Sequence, residues 1–275
     1  MNNLYLVFKM DIKESFRSKW FLLYTIIFGG IVALFFISGV TESKVQGFSG
    51  LSRLLLIFIE ICIVIVPIFI LVNTVRTIAA DRDSNILEYL LSFPISLKTY
   101  FFGKFFGKLF TITIPIFAAL FLALIWSTFK GVEIPWEIFI YYIFLLFSIN
   151  ISFLGLSFFI SSLVKTQEIA LALAFFVWIL LLSLIDILLI SILVKTTANA
   201  ELIYSIALIN PLQVFRIGAI ALFDPQLSVI GPASYFIIDE FGAKFLLIYC
   251  VLYPILLGAL FSFLGYKVFK RKDLV

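Results

Sequence analysis

The chain has 275 residues, 63% of them hydrophobic and 18% aromatic but only 13% charged, with a mean hydropathy of +1.20. A soluble domain is about half apolar and about a quarter charged, and no soluble fold of this size has interior enough for so much Phe, Ile and Leu. The formal charge of +4 would raise nucleic acid as a partner in a soluble chain. Here the cations stand beside apolar runs, where they set topology and meet headgroups, so membrane lipids are expected as partners and nucleic acid is not.

Residues 3–20 come first. Leu4, Phe8, Ile12, Phe16 and Trp20 recur every four residues, with Lys9, Lys13 and Arg17 as a neighbouring row. The spacing predicts an amphipathic helix in the headgroup layer, its cations reaching for phosphates; the alternative is a plain extension of the first span. A cleavable signal peptide is not expected. Continuous apolar runs at about 20–40, 54–75, 106–129, 138–162, 169–194 and 245–267 are each long enough to cross roughly 30 Å of hydrocarbon as a helix. They do not alternate as barrel strands do.

Cations mark one side. Lys9, Lys13, Arg17 and Lys19 precede the first span, Arg76, Arg82, Lys98, Lys104 and Lys108 follow the second, Lys165 follows the fourth, and Lys267, Lys270, Arg271 and Lys272 follow the sixth. The other side holds Lys44, Arg53, Lys130, Lys195, Arg216 and Lys244. The bias predicts both termini in the cytoplasm. The fold class expected is therefore all-α: one polytopic transmembrane domain over 1–275 with six transmembrane helices in a bacterial or archaeal cytoplasmic (inner) membrane. It adds an N-terminal interfacial helix, a cytoplasmic helix near 83–97 and external helices over 195–244, between the fifth and sixth spans.

In the cytoplasmic connection, Ser84 or Asn85 can cap a short helix, Glu88 suits the dipole of its first turn, and Pro94 ends it. Ile86, Leu87, Leu90 and Leu91 share one face. A helix so short is marginal alone and must dock, on its own chain, on the membrane surface or in a groove on a cytoplasmic partner. The outer connection 195–244 is too apolar for a polar linker, and Asn210-Pro211 marks a break between two short helices in it.

Two carboxylates fall within spans, Asp186 and Glu60. Charges there are expensive and face cavities or partner helices. Asp186 reads equally as lining of a transport or gating pathway or as a helix–helix hydrogen bond with Ser183, Asn150 or Ser152; Glu60 is the second pathway candidate, or reaches headgroups or Arg53. Ser148, Ser152, Gly155 and Ser157 form a small-residue stripe suited to packing within the chain or to a dimer seam. The chain has no His, and its two Cys, Cys62 and Cys250, are far apart in apolar runs; neither a disulfide nor a metal site is expected. No phosphate-binding loop and no hydrolase motif occurs, so the chain is expected to be no enzyme.

The stretch Asp81-Arg-Asp-Ser-Asn-Ile-Leu-Glu-Tyr-Leu-Leu-Ser-Phe-Pro-Ile-Ser, with Gly103-Lys104 after it, resembles the signature region of type-2 ABC exporter permeases. Those usually carry acidic and basic residues, a small residue, then Leu-Glu-x-Leu-Leu-Ser-x-Pro-Ile-Ser and a later Gly-Lys. Asn85-Ile86 stands here in place of their common Gly-Thr. The resemblance implies a second copy of this chain and two copies of a separate ABC ATPase subunit, which binds ATP and Mg; no cofactor belongs to this chain. It makes Asn85, Ile86, Leu87, Glu88, Leu90, Leu91 and Pro94 the ATPase-coupling residues.

Within that family the chain is most similar to permeases that serve copper-site maturation of nitrous oxide reductase in denitrification. Lys13-Glu14, Arg17-Ser18-Lys19-Trp20, Gly47-Phe48-Ser49, Trp178 with Asp186, and Leu208-Ile-Asn-Pro-Leu-Gln-Val-Phe-Arg216 carry that likeness. It implies a periplasmic copper-handling partner of the NosD type, met by Asn210, Pro211 and Arg216. Without His and with few Met, mechanical transmission to that partner, or export of a sulfur-containing species, is favoured over copper passage. The alternative is a type-2 exporter permease for a lipid, peptide or drug.

Overall fold

The structure, a computed structural model, describes residues 3–37, 51–131, 134–184, 207–221 and 242–272, and every regular element among them is a helix. α1 (Asn3–Arg17) breaks at Ser18 into α2 (Lys19–Ile37). α3 (Leu51–Thr74) turns at Val75 into α4 (Arg76–Asp83), and α5 (Ile86–Leu91) leads to α6 (Leu97–Phe129). α7 (Trp136–Leu163) and α8 (Gln167–Ile179) follow, α8 running on as a π turn over Leu180–Leu184. α9 (Pro211–Ala221) and α10 (Ala243–Lys272) complete the set. Among the described residues four stretches are long and apolar enough to cross a membrane: Ile61–Asp83, Leu97–Phe129, Trp136–Leu163 and Ala243–Lys272. α2 and α8 contribute shorter apolar helices.

α7 is the hub, and its widest contact is with α10. The Tyr141 hydroxyl donates to the Leu247 carbonyl at 2.7 Å, Gly155 meets Gly258, and the Lys272 ammonium donates to the Leu163 carbonyl. That register makes the two helices parallel. At their crossing a Cβ on Gly155 would lie 2.1 Å from the Gly258 carbonyl oxygen, so only glycine permits the approach. Close backbone contact through small residues is how helices hold together in lipid, where no hydrophobic force drives them together. The stripe of Ser148, Ser152, Gly155 and Ser157 therefore serves packing inside the chain. Ser152 and Gly155 back onto Gly258, Ser157 meets the Thr74 hydroxyl, and Ser148 donates to the Leu145 carbonyl at 2.8 Å.

Three contacts gather α1, α4–α5, the α7–α8 connection and the end of α10 at one end of the bundle. The Asn3 amide donates to the Pro94 carbonyl at 3.0 Å, the Arg82 guanidinium to the Val164 carbonyl, and Lys272 to Leu163. α6 has 33 residues, about 50 Å at 1.5 Å each, so it outruns the hydrocarbon and carries Lys98, Lys104 and Lys108 into this basic end.

At the opposite end α9 lies down on α3, α7 and α10. Gly218 fits over Cys250, where a Cβ would meet the cysteine's own Cβ at 2.7 Å. Both cysteines are free and buried, behaving as small apolar groups.

Candidate coupling surface at the basic end

The start of α4 would leave backbone N–H groups without acceptors. Ser161 of α7 supplies one, its Oγ taking the N–H of Ile78 and of Ala79 at 3.0 Å each. One turn earlier the Thr74 hydroxyl donates to the Ile70 carbonyl at 2.7 Å and meets Ser157. Two serines of α7 thus staple the bend where α3 becomes α4. A hydroxyl placed at a helix bend is one of the few causes of a fixed kink.

α4 ends in a left-handed residue, Asn85, at φ 58° and ψ 11°. Only Gly, Asn and Asp enter that region at low cost, which explains why Asn can stand where the resembling permeases carry Gly. The capping role expected of Asn85 is not the one it serves: its side chain makes no cap hydrogen bond, and neither does that of Ser84, whose hydroxyl donates back to the Ala80 carbonyl at 2.7 Å. The reversal at Asn85 turns α5 back against α4.

α5 then presents two faces. Leu87, expected among the outward anchors, is only 3% exposed and is buried in the chain's own core, with Leu90 and Leu91 packed beside it. The outward face is instead Ile86, Tyr89 and Phe93, which are 46%, 65% and 47% exposed. Tyr89 and Phe93 meet edge to face at 5.3 Å. Glu88 and Pro94 are exposed at its margins. α5 ends at Leu91, capped by Ser92, so the helix stops ahead of Pro94. Ser96 restarts it, its Oγ accepting the Thr99 N–H at 3.2 Å at the head of α6.

The patch stands on a rigid base. Asp81 of α4 accepts from the Tyr100 hydroxyl and pairs with Lys104, both of α6. Behind them Tyr100 and Phe101 pack on Phe269 of α10, ring centroids 5.7 and 5.8 Å away. The Gly103-Lys104 dipeptide has a physical reason: the lysine ties α6 to α4, while the glycine admits α1. A Cβ at Gly103 would meet Val7 at 2.8 Å, and one at Gly107 would meet the Asp11 carboxylate at 2.7 Å. α1 accordingly buries Val7, Asp11 and Ser15, a different face from the Leu4–Phe8–Ile12–Phe16 row, which stays half-buried or exposed.

Lys108 fastens this seam, donating to Ser15 Oγ at 2.8 Å and pairing with Asp11 at 3.5 Å. Burial pushes the Asp11 carboxyl above its ordinary value, although Lys108 and Lys104 pull it down. These charges line a polar cavity of about 220 Å³ with Glu14, Arg76 and Thr77. These contacts brace α1 and α4 against α6. Among the described residues no three His, Cys, Asp or Glu side chains gather as metal ligands.

Residues 5–274 match the family described as ABC-2 family transporter protein. This chain belongs to that family. It is a multi-pass membrane protein of the transporter permease type, its regular elements all helices among the described residues. A relative from Stutzerimonas stutzeri named "Probable ABC transporter permease protein NosY" is 23% identical over 283 residues, an alignment covering 99% of each chain.

The remaining candidates are placed unevenly. Asp186 lies outside the described residues, and Glu60 lies within α3 with its side chain outside them too. Asn210 and Pro211 are buried. The Asn210 amide donates to the Leu181 carbonyl at 2.7 Å, inside the π turn of α8, and its oxygen caps α9 through the Leu212 N–H at 3.0 Å. Tyr249 and Tyr253 donate to the Leu208 and Ile209 carbonyls at 2.9 and 2.6 Å. Asn210-Pro211 does break the chain between two helical turns, with both side chains turned inward among the described residues; Arg216 alone of the three keeps partial exposure. Tyr89 and Phe93 were not among the sequence candidates. Ile86 and Tyr89 stand one turn apart on α5 and Phe93 follows in the bend beyond it, a signal obscured by the leucines between them.

Proposed function

We propose that this chain is the membrane half of an ATP-driven transporter and that Ile86, Tyr89 and Phe93 dock in a groove on a separate ATPase. One observation carries this reading: an exposed apolar and aromatic face held by α4, α6 and α10 at the basic end of a membrane bundle. Three large apolar groups outside the lipid cost free energy until covered, and aromatic anchors dominate such interfaces. ATP and Mg belong to the ATPase. The basic end is the cytoplasmic one, which puts both termini inside; α2 and α8 complete six spans across the inner membrane. Two copies of the chain meet two ATPases.

The finer reading is that the work is done on a periplasmic copper-handling partner of the NosD type, in copper-site assembly of nitrous oxide reductase. It draws on the end-to-end likeness to the NosY permease. Export of a lipid, peptide or drug is the other reading of the same machine.

The test is co-purification of the tagged chain with its ATPase. Tyr89→Asp with Phe93→Asp is expected to weaken association roughly 1,000-fold, two anchors each worth about 2 kcal/mol, while the chain itself stays folded. Leu87→Asp instead buries a charge and is expected to unfold the chain. Undiminished recovery of the ATPase with the Tyr89/Phe93 variant overturns the docking reading.

A further inference from the structure

The corner between α1 and α2 combines charge and apolar surface in a way the coupling surface does not use. Lys9, Lys13 and Arg17 stand on successive turns of α1, all exposed. Among the described residues none of the three has an ion-pair partner. At the end of α1 a groove of about 530 Å³ is lined by Met10, Lys13, Glu14, Arg17 and Ser18. Directly beyond the break at Ser18, α2 turns Leu22, Leu23 and Ile26 outward, Ile26 being 70% exposed.

We infer that this corner is a binding site for a monoanionic phospholipid. Its phosphate sits between Lys13 and Arg17, four residues or about 6 Å apart along the axis, and its acyl chains descend along Leu22, Leu23 and Ile26. The charge pattern selects the headgroup: two cations set against the Glu14 carboxylate leave room for one negative charge. The geometry selects a lipid over a soluble anion, because Leu22, whose N–H donates to the carbonyl of the groove's Ser18 at 3.4 Å, begins an exposed apolar surface that a soluble anion leaves bare. Basic residues at a membrane surface attract anionic lipids by just this electrostatic route.

Occupancy has a consequence for coupling, and this second half rests on the ATPase-docking reading above. The far face of α1 is locked to α6 through Val7 over Gly103 and through Asp11, Lys108 and Ser15. Its first residue holds the Pro94 carbonyl just past α5. A lipid that steadies α1 therefore steadies the segment bearing Tyr89 and Phe93.

The experiment uses the full chain in mixed micelles of phosphatidylcholine and phosphatidylglycerol, with retained phosphatidylglycerol read by native mass spectrometry. Lys13→Glu with Arg17→Glu is expected to lower retention roughly 30-fold, since each cation at a membrane surface counts for about 1 kcal/mol, or a factor of about five. Lys270→Glu with Arg271→Glu, an equal reversal on exposed residues of α10, is expected to leave it unchanged, and glycerol phosphate is expected not to compete. Equal loss in both double variants, or none in either, overturns the site; competition by glycerol phosphate reassigns it to a soluble anion and overturns the lipid. In vesicles holding the chain with its ATPase, phosphatidylglycerol is expected to raise ATP turnover at least twofold for the wild type and not for the Lys13/Arg17 variant. An identical rise in both overturns the regulatory half. Retention is read on the chain alone, so failure of the ATPase to dock leaves the lipid site separately tested.

Discussion

Gly155→Ala is the sharpest test of the packing that holds the bundle. The added Cβ would lie 2.1 Å from the Gly258 carbonyl oxygen and 2.7 Å from its carbonyl carbon. A carbon and a carbonyl oxygen rest no closer than about 3.3 Å, so α7 and α10 must part by roughly 1 Å at their crossing. The obstructing atoms are backbone, so no rotamer change relieves the clash. Overpacking costs about 1–3 kcal/mol, and the rigid obstacle puts this site near the upper value. At about 2–4 °C per kcal/mol for larger domains, the melting temperature should fall by roughly 6–12 °C. Cys62 and Cys250 are free and only 1% and 0% exposed, so a thiol-reactive dye in detergent reports unfolding without added labels. Gly30→Ala, with nothing within 4 Å of its new Cβ, is the control and should cost nothing. A Gly155→Ala chain that melts with the wild type refutes the parallel α7–α10 contact.

Three further outcomes follow from the basic end. Asn85→Val forces a β-branched residue into left-handed backbone and is expected to cost at least about 1–2 kcal/mol, whereas Asn85→Gly is expected to be neutral; equal melting of the two variants contradicts the turn assigned to Asn85. Ser161→Ala removes the acceptor shared by two N–H groups, a loss of about 1–3 kcal/mol, and should speed hydrogen exchange across residues 74–83 at least ~5-fold, with unchanged exchange counting against the staple. For Asp11, the folded carboxyl lies above its ordinary value of 3.8 because burial outweighs the nearby lysines. A group raised on folding adds stability that is complete below the unfolded value and is lost as pH rises through the folded one. The melting difference between Asp11→Asn and wild type should therefore move in the variant's favour as pH rises from about 4 to neutrality, and a difference that ignores pH contradicts the burial of this carboxyl.

Length, hydropathy and the Lys/Arg pattern by themselves determine an all-helical membrane chain and the basic end that gathers α1, α4–α5 and the close of α10, because a helix in lipid must be long, apolar and internally hydrogen-bonded. The signature from Asp81 to Ser96 likewise announces a short apolar helix outside the lipid. Composition cannot say which neighbour a side chain meets, and there the tertiary structure decided. Leu87 and Tyr89 are both apolar-faced residues of one short helix, yet α4 and the core behind it claim the leucine and leave the tyrosine in the open. The serine and glycine stripe of α7 fits a seam between chains as well as one within a chain, until Gly258 of α10 and Thr74 of α3 are found against it. Asn210 carries a hydrogen-bonding amide suited to a partner protein, but the carbonyl it satisfies belongs to a π turn in its own chain. Periodicity and hydropathy are properties of one segment at a time, whereas burial and hydrogen-bond partnership belong to pairs of segments far apart in sequence, and only folding brings those together.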